Sequence, residues 1–163
     1  MTSTAPIPPI TGTVTLAVPV ERAFEVFTGS VDSWWPHQYH IGAAEVAEIV
    51  LEPAVGGRWY ERGVDGSECE WGQVLACEPP HRIVVAWQIT AQGDAWVYDP
   101  DLSRASEFEV NFREQPDGRT LVELEHRNIG RHGPGAAGIH QGVSSPGGWP
   151  GILDNYAKLA AAA

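Results

Sequence analysis

Over much of this chain apolar residues recur at every second position, and the places where the period changes to three or four mark helices. In TGTVTLAV, Val14, Leu16 and Val18 fall on one side of a half-buried first strand. Pro19 suits the first turn of a helix, in which Val20, Ala23, Phe24 and Phe27 recur at helical spacing until Gly29. Ser30 is placed to cap a second, short helix that carries Trp34 and Trp35 and is cut at Pro36. From residue 45 the period returns to two, with Ala47, Ile49 and Leu51 on one side and Val46 and Val50 on the other. GGRWYERG and SECEWGQVLACE flank the turn Val64-Asp65-Gly66, RIVVAWQIT follows Pro79-Pro80, and EFEVNF meets TLVELEH across Pro116-Asp117-Gly118, all as antiparallel hairpins.

Residues 130–151 hold eight glycines and three prolines and read as a flexible connection. The chain closes with a helix from about Pro150, whose face carries Trp149, Ile152, Leu153, Tyr156 and Leu159. The order predicts an α+β protein: a strand, two short helices, about six antiparallel strands and a long terminal helix. A sheet of that length must bury its apolar face, and the terminal helix is the element long enough to lie across it. Where a curved sheet and that helix fail to touch, a cavity remains. Residues 1–10, with three prolines and no period, read as a flexible arm, and 11–163 as one domain, the size at which a single core suffices.

Alternation also assigns side chains to the inner face. It points Ile83, Val85, Trp87 and Ile89 inward, together with Phe108, Val110, Phe112, Val122, Leu124 and His126. Trp59 and Glu61 share one face of their strand, opposite Arg58, Tyr60 and Arg62. On the next strand Cys69, Trp71, Gln73 and Leu75 are placed inside, with Glu68 and Glu70 in water. Trp59, Trp71 and Trp87 then either fill a solid core or line a pocket that is apolar with a few convergent polar groups. Glu61 is a rim or salt-bridge residue, or else a buried general acid or base. His126 is a hydrogen-bonded core histidine, or else a proton shuttle. For DSWWPHQYHIG three readings stand: a metal clip through His37 and His40, the mouth of a ligand pocket, and an aromatic plug. Trp34 and Trp35 diverge by about 100° on a helix, so one can enter the core while the other covers an opening.

Charge narrows the partners. A net charge of −11, with no run of basic residues, repels a phosphate backbone and argues against nucleic acid. No apolar stretch approaches the ~20 residues of a membrane span, and the N-terminus has no signal-like pattern, so a cytoplasmic protein is expected. Cys69 and Cys77 fall on one strand, roughly 26 Å apart at a rise of ~3.3 Å per residue, and are expected as free thiols. The histidines lack the companions of a structural zinc site, although His132 and His140 in the Gly-rich stretch could approach.

The run EWGQVLACEPPHRIVVAWQI resembles the Trp-Gly-x-Val, Pro-Pro-x-Arg and Trp pattern of the activator-of-Hsp90-ATPase-homologue-like group of the START-like (SRPBCC) superfamily. VPVERAFEVFT, the WWP and GGWPGILDNYAKL match that pattern in type and order, so the resemblance spans roughly residues 11–161. It implies a helix-grip fold with an internal cavity, and no cofactor, metal or fixed catalytic motif. The insertion AQGDAWVYDPDLS and the Gly-rich stretch depart from it, which leaves the cavity entrance least defined. The expected function is binding of a small hydrophobic, aromatic molecule by Trp34, Trp35, Trp59, Glu61, Trp71, Gln73, Trp87, Phe108, His126, Trp149, Leu153 and Tyr156. Two alternatives stay open: a cyclase, dehydratase or hydrolase using Glu61 and His126, and a co-chaperone-like interaction module. Pairing into a homodimer is left open as well.

Overall fold

The period-two segments become strands of one antiparallel sheet, and the computed structural model describes residues 7–93 and 95–162. In chain order the elements are β1 (Ile10–Leu16), α1 (Val20–Gly29), α2 (Val31–Trp34), β2 (Val46–Leu51), β3 (Arg58–Gly63), β4 (Glu68–Glu78), β5 (Arg82–Trp87), β6 (Ile89–Gln92), β7 (Ala95–Tyr98), β8 (Ser106–Glu114), β9 (Thr120–Arg127), α3 (Ala136–Ser144) and α4 (Trp149–Ala162). Seven strands form the main sheet in the order β1-β9-β8-β5-β4-β3-β2, and β6 and β7 make a separate hairpin. The sheet curls as a half-barrel with α4 in its grip, the α+β helix-grip arrangement.

The terminal helix is held at both sides. Leu153 packs directly on Gly12 of β1, and the Tyr156 hydroxyl donates to the Ala23 carbonyl of α1 at 2.7 Å. Trp149, Ile152, Leu153 and Tyr156 are buried as expected of this helix, while Leu159 is only partly buried and Ala160 takes the inner position beside it. Tyr156 meets Phe27 and Trp34 edge to face, and Phe27 and Trp34 lie tilted on each other, between α1, α2 and α4.

Several expectations are corrected. β1 starts at Ile10, paired with His126, one residue inside the stretch assigned to a flexible arm; residues 1–6 of that arm lie outside the described residues. Ser30 makes no side-chain cap. Bulges interrupt the strict alternation. In β2 the register slips between Val46 and Glu48, so Val46 is buried along with Ile49 and Leu51. In β4 it slips at Trp71 and again at Leu75, each left without a cross-strand partner. Gln73 then lies opposite Arg58 and Ala86 on the convex face, and Leu75 is exposed, whereas both had been placed inside. RIVVAWQIT is two strands, broken at Gln88, and the insertion after it is the β6–β7 hairpin. The Gly-rich stretch is helical rather than a flexible connection: a 3-10 segment over Ile129–Gly135, kinked at Gly133, leads into α3.

Candidate functional site

The bulge at Trp71 turns its indole inward beside Trp59, and all seven tryptophans join in one aromatic cluster with Trp35 near its centre. Trp35 has ring centroids within 5.2 Å of Trp71, 5.5 Å of Trp59 and 5.9 Å of Trp149. Trp87 stands 6.0 Å from Trp149 and 6.4 Å from Trp96. Between this cluster, the loop after α2 and the α3–α4 connection lies a cavity of about 450 Å³. Its apolar wall is Trp35, Trp71, Trp87, Trp149, Ile89 and Ile152, with Val143 of α3 at one side. The polar side chains are few: Gln38, Tyr39 and His40 from the loop, and Ser145. Tyr39 and Trp96, both partly exposed, stand at the rim.

The wall indoles direct their N–H groups into the protein. Trp35 donates to the Tyr39 carbonyl at 3.0 Å, Trp87 to the Ile89 carbonyl at 2.8 Å, Trp71 to Glu61 Oε1 at 2.8 Å and Trp149 to His126 Nδ1 at 3.0 Å. An indole nitrogen only donates, so these four rings have no hydrogen bond left to offer and present apolar surface alone.

Glu61 is buried behind Trp71. Besides that indole it accepts from the backbone N–H of Ile41 at 2.6 Å and of Gly42 at 3.2 Å. A Cβ on Gly42 would stand 2.8 Å from the carboxylate, so only glycine lets the loop approach this closely. His40 belongs to the cavity wall, and its Nδ1 lies 3.4 Å from Glu61 Oε2, close enough for an ion pair but off the angle of a hydrogen bond. Cys69 is the cross-strand partner of Glu61, and burial, together with that carboxylate, pushes its thiol above the ordinary value. Both cysteines are free.

His126 lies behind Trp149 and Trp87 rather than in the cavity. Because its Nδ1 accepts from Trp149, the neutral ring carries its proton on Nε2 and donates to Ser106 Oγ at 2.8 Å. Ser106 in turn donates to His132 Nε2 at 2.7 Å. That leaves the His132 proton on Nδ1, a buried atom without a partner among the described residues. Burial pushes His126 down to about 3, helped by the charges of His132 and His140, and pushes His132 down to about 4.

Of the residues singled out from sequence, the cavity wall receives Trp35, Trp71, Trp87 and Trp149. Trp34, Trp59, Phe108, Leu153 and Tyr156 are core behind it, Glu61 and His126 stand one layer back, and Gln73 faces outward. Trp34 and Trp35 are both buried, so neither covers the opening, and Trp35 lines the cavity. Trp96, part of the insertion that left the cavity entrance undefined, is at the mouth, and His40, expected from sequence only as one half of a metal clip, lines the wall. Their signal was hidden because the β6–β7 hairpin and the loop after α2 fold back over the sheet, and neither carries a period. His37 bonds Asp32 at 2.8 Å, so the two histidines of the DSWWPHQYHIG stretch face different carboxylates. Among the described residues no three His, Cys, Asp or Glu side chains come together as a metal site.

Comparison with known proteins places this architecture. The model of the activator of Hsp90 ATPase homolog 1-like proteins matches residues 17–160. The chain belongs to this family. It is similar to an anthrahydroquino-gamma-pyrone synthase, Txn09, at 41% identity over 94% of this chain and 97% of that one, with a TM-score of 0.65. It also resembles the self-sacrificing resistance protein CalC from Micromonospora echinospora, at 26% identity over 94% of each chain and a TM-score of 0.67. Protein MLL2253 from Mesorhizobium loti, 18% identical over 93% and 96% of the two chains with a TM-score of 0.64, shares the fold. A search of curated proteins gives no match. In this member of the activator-of-Hsp90-ATPase-homologue-like family, Tyr39 and Trp96 stand at the rim of the cavity.

Proposed function

We propose that the protein binds a flat, oxygen-bearing polycyclic aromatic molecule in the tryptophan-walled cavity. The observation that carries this reading is the division of polarity: four indoles with their N–H groups already engaged form one side, and Gln38, Tyr39, His40 and Ser145 supply the polar groups. An apolar planar body fits the first, and carbonyl or hydroxyl groups along one edge meet the second. About 450 Å³ suits a ligand of three or four fused rings. The 41% identical relative is a synthase named for an anthrahydroquinone fused to a pyrone, which is a molecule of this shape. Apart from Tyr39 and Trp96 at the rim and Tyr98 on the same hairpin as Trp96, the exposed large apolar residues Val55, Val64, Leu75 and Leu102 are spread over separate turns, one bulge and a 3-10 turn, which favours a small ligand over a docked protein.

Anthraquinone serves as a probe. It is expected to quench tryptophan emission with a dissociation constant in the micromolar range, about −8 kcal/mol, and at a hundredfold excess to stabilise the fold by about 2.7 kcal/mol. Val143→Phe, which fills the cavity from α3, should weaken it at least tenfold, whereas Leu75→Ala on the convex face should not. Equal affinity in the wild type and Val143→Phe would remove the cavity as the site.

A further inference from the structure

We infer that His40 and Glu61 form a proton-transfer pair that takes the proton of a phenolic hydroxyl on the bound aromatic molecule. The inference rests on the binding reading above and assigns the cavity a reaction. Three features of the site carry it. First, Glu61 is fully sequestered and its hydrogen-bond partners among the described residues are all N–H groups: the Trp71 indole and the Ile41 and Gly42 amides. That is the set an anionic carboxylate takes, and it fixes both oxygens in place. Second, His40 both lines the cavity and stands against that carboxylate, with its side chain 27% exposed. Third, its Nδ1 has no partner among the described residues other than Glu61, at 3.4 Å, a separation that closes to a hydrogen bond with a small ring rotation.

With Nδ1–H directed at Glu61, Nε2 is left as the free lone pair of the neutral ring. A phenol that reaches it gives up its proton to Nε2 and keeps the O–H electron pair as phenolate. The imidazolium charge is then held against the Glu61 carboxylate. A phenolate is the nucleophile that closing an oxygen heterocycle requires: its oxygen bonds to an electrophilic carbon of the same molecule, the π pair of that carbon moves to its neighbour, and the neighbour recovers the proton from His40. No oxidant, reductant or further reactant enters. The other titratable groups near the pair are Tyr39 on the same loop and Cys69 on β4, whose thiol is held protonated by burial. His37 is turned away onto Asp32.

The test uses 2-hydroxyanthraquinone, whose phenolate absorbs at longer wavelength than the phenol, beside anthraquinone, which has no hydroxyl. Bound to the wild type, the hydroxyl should ionise at a pH lower than in free solution by about one unit or more. His40→Phe should still bind anthraquinone but abolish that shift, Glu61→Gln should shrink it, and Tyr39→Phe should preserve it. His40→Gln, polar but without a base, should behave as His40→Phe and guards against a loss caused by altered packing. Binding of both probes with the same ionisation in wild type and His40→Phe overturns the proton-transfer pair alone. Failure of either probe to bind the wild type overturns the cavity reading and this inference with it.

Discussion

The buried histidines have consequences for stability that follow from single contacts. His126 orients a wall tryptophan through Nδ1 and donates from Nε2 to Ser106, which bonds His132, so both rings are needed neutral in the fold. Burial holds His126 at about 3 and His132 at about 4, both below the unfolded value of 6.5. Between 6.5 and the folded values the unfolded chain binds protons that the folded chain refuses. Stability is therefore complete above pH 6.5 and is lost as pH falls, by up to about 1.4 kcal/mol per pH unit for each ring. The urea midpoint should drop steadily from pH 6.5 toward 4, with about half the slope in His132→Gln; a midpoint flat across that window would contradict the assignment.

At the level of elements, the Gly-rich stretch shows how tertiary packing overrides propensity. Glycine disfavours a helix by about 1 kcal/mol relative to alanine, yet α3 forms because Ala136, Ile139 and Val143 are buried. One glycine there has a specific use. A Cβ on Gly142 would stand 2.5 Å from the Trp96 indole, so the bare helix surface seats that ring across the cavity mouth. Gly142→Ala should displace Trp96 while changing stability by no more than about 1 kcal/mol. Stopped-flow quenching is expected to give faster association and dissociation of anthraquinone with a smaller change in affinity. Unaltered rates would mean that Trp96 does not gate the cavity.

For the molecule as a whole, α4 is the closing element, since it covers the sheet at β1 and meets α1 and α2. Its Trp149, Ile152, Leu153 and Tyr156 are buried, and at about 1.5–3 kcal/mol each they exceed the margin of many domains. A chain ending at residue 148 should show no cooperative melting transition by circular dichroism. A sharp transition in that truncation would show that the sheet holds itself together. The convex face explains how so acidic a chain folds at all: Arg58, Arg62, Arg82 and Arg127 each bridge two or more glutamates. Arg82 and then Arg127 hold Glu109 down at about 2.

By itself the sequence determined most strands of the main sheet, the terminal helix and the inward set on β5, β8 and β9, because those depend on a period read along a few neighbouring residues, while the helix-grip arrangement came from the family resemblance. It also placed Trp59 and Glu61 on the buried face of β3. What it could not determine were the registers at Val46, Trp71 and Leu75, where one extra residue reverses which face a side chain meets. Gln73 was misplaced for that reason. Nor could it bring His40 to Glu61, Trp96 to Gly142, or His132 to Ser106, pairs separated by 21, 46 and 26 positions in the chain. Such contacts lie on loops and non-repeating segments that carry no local pattern, and only the closure of the sheet around α4 decides which of them meet.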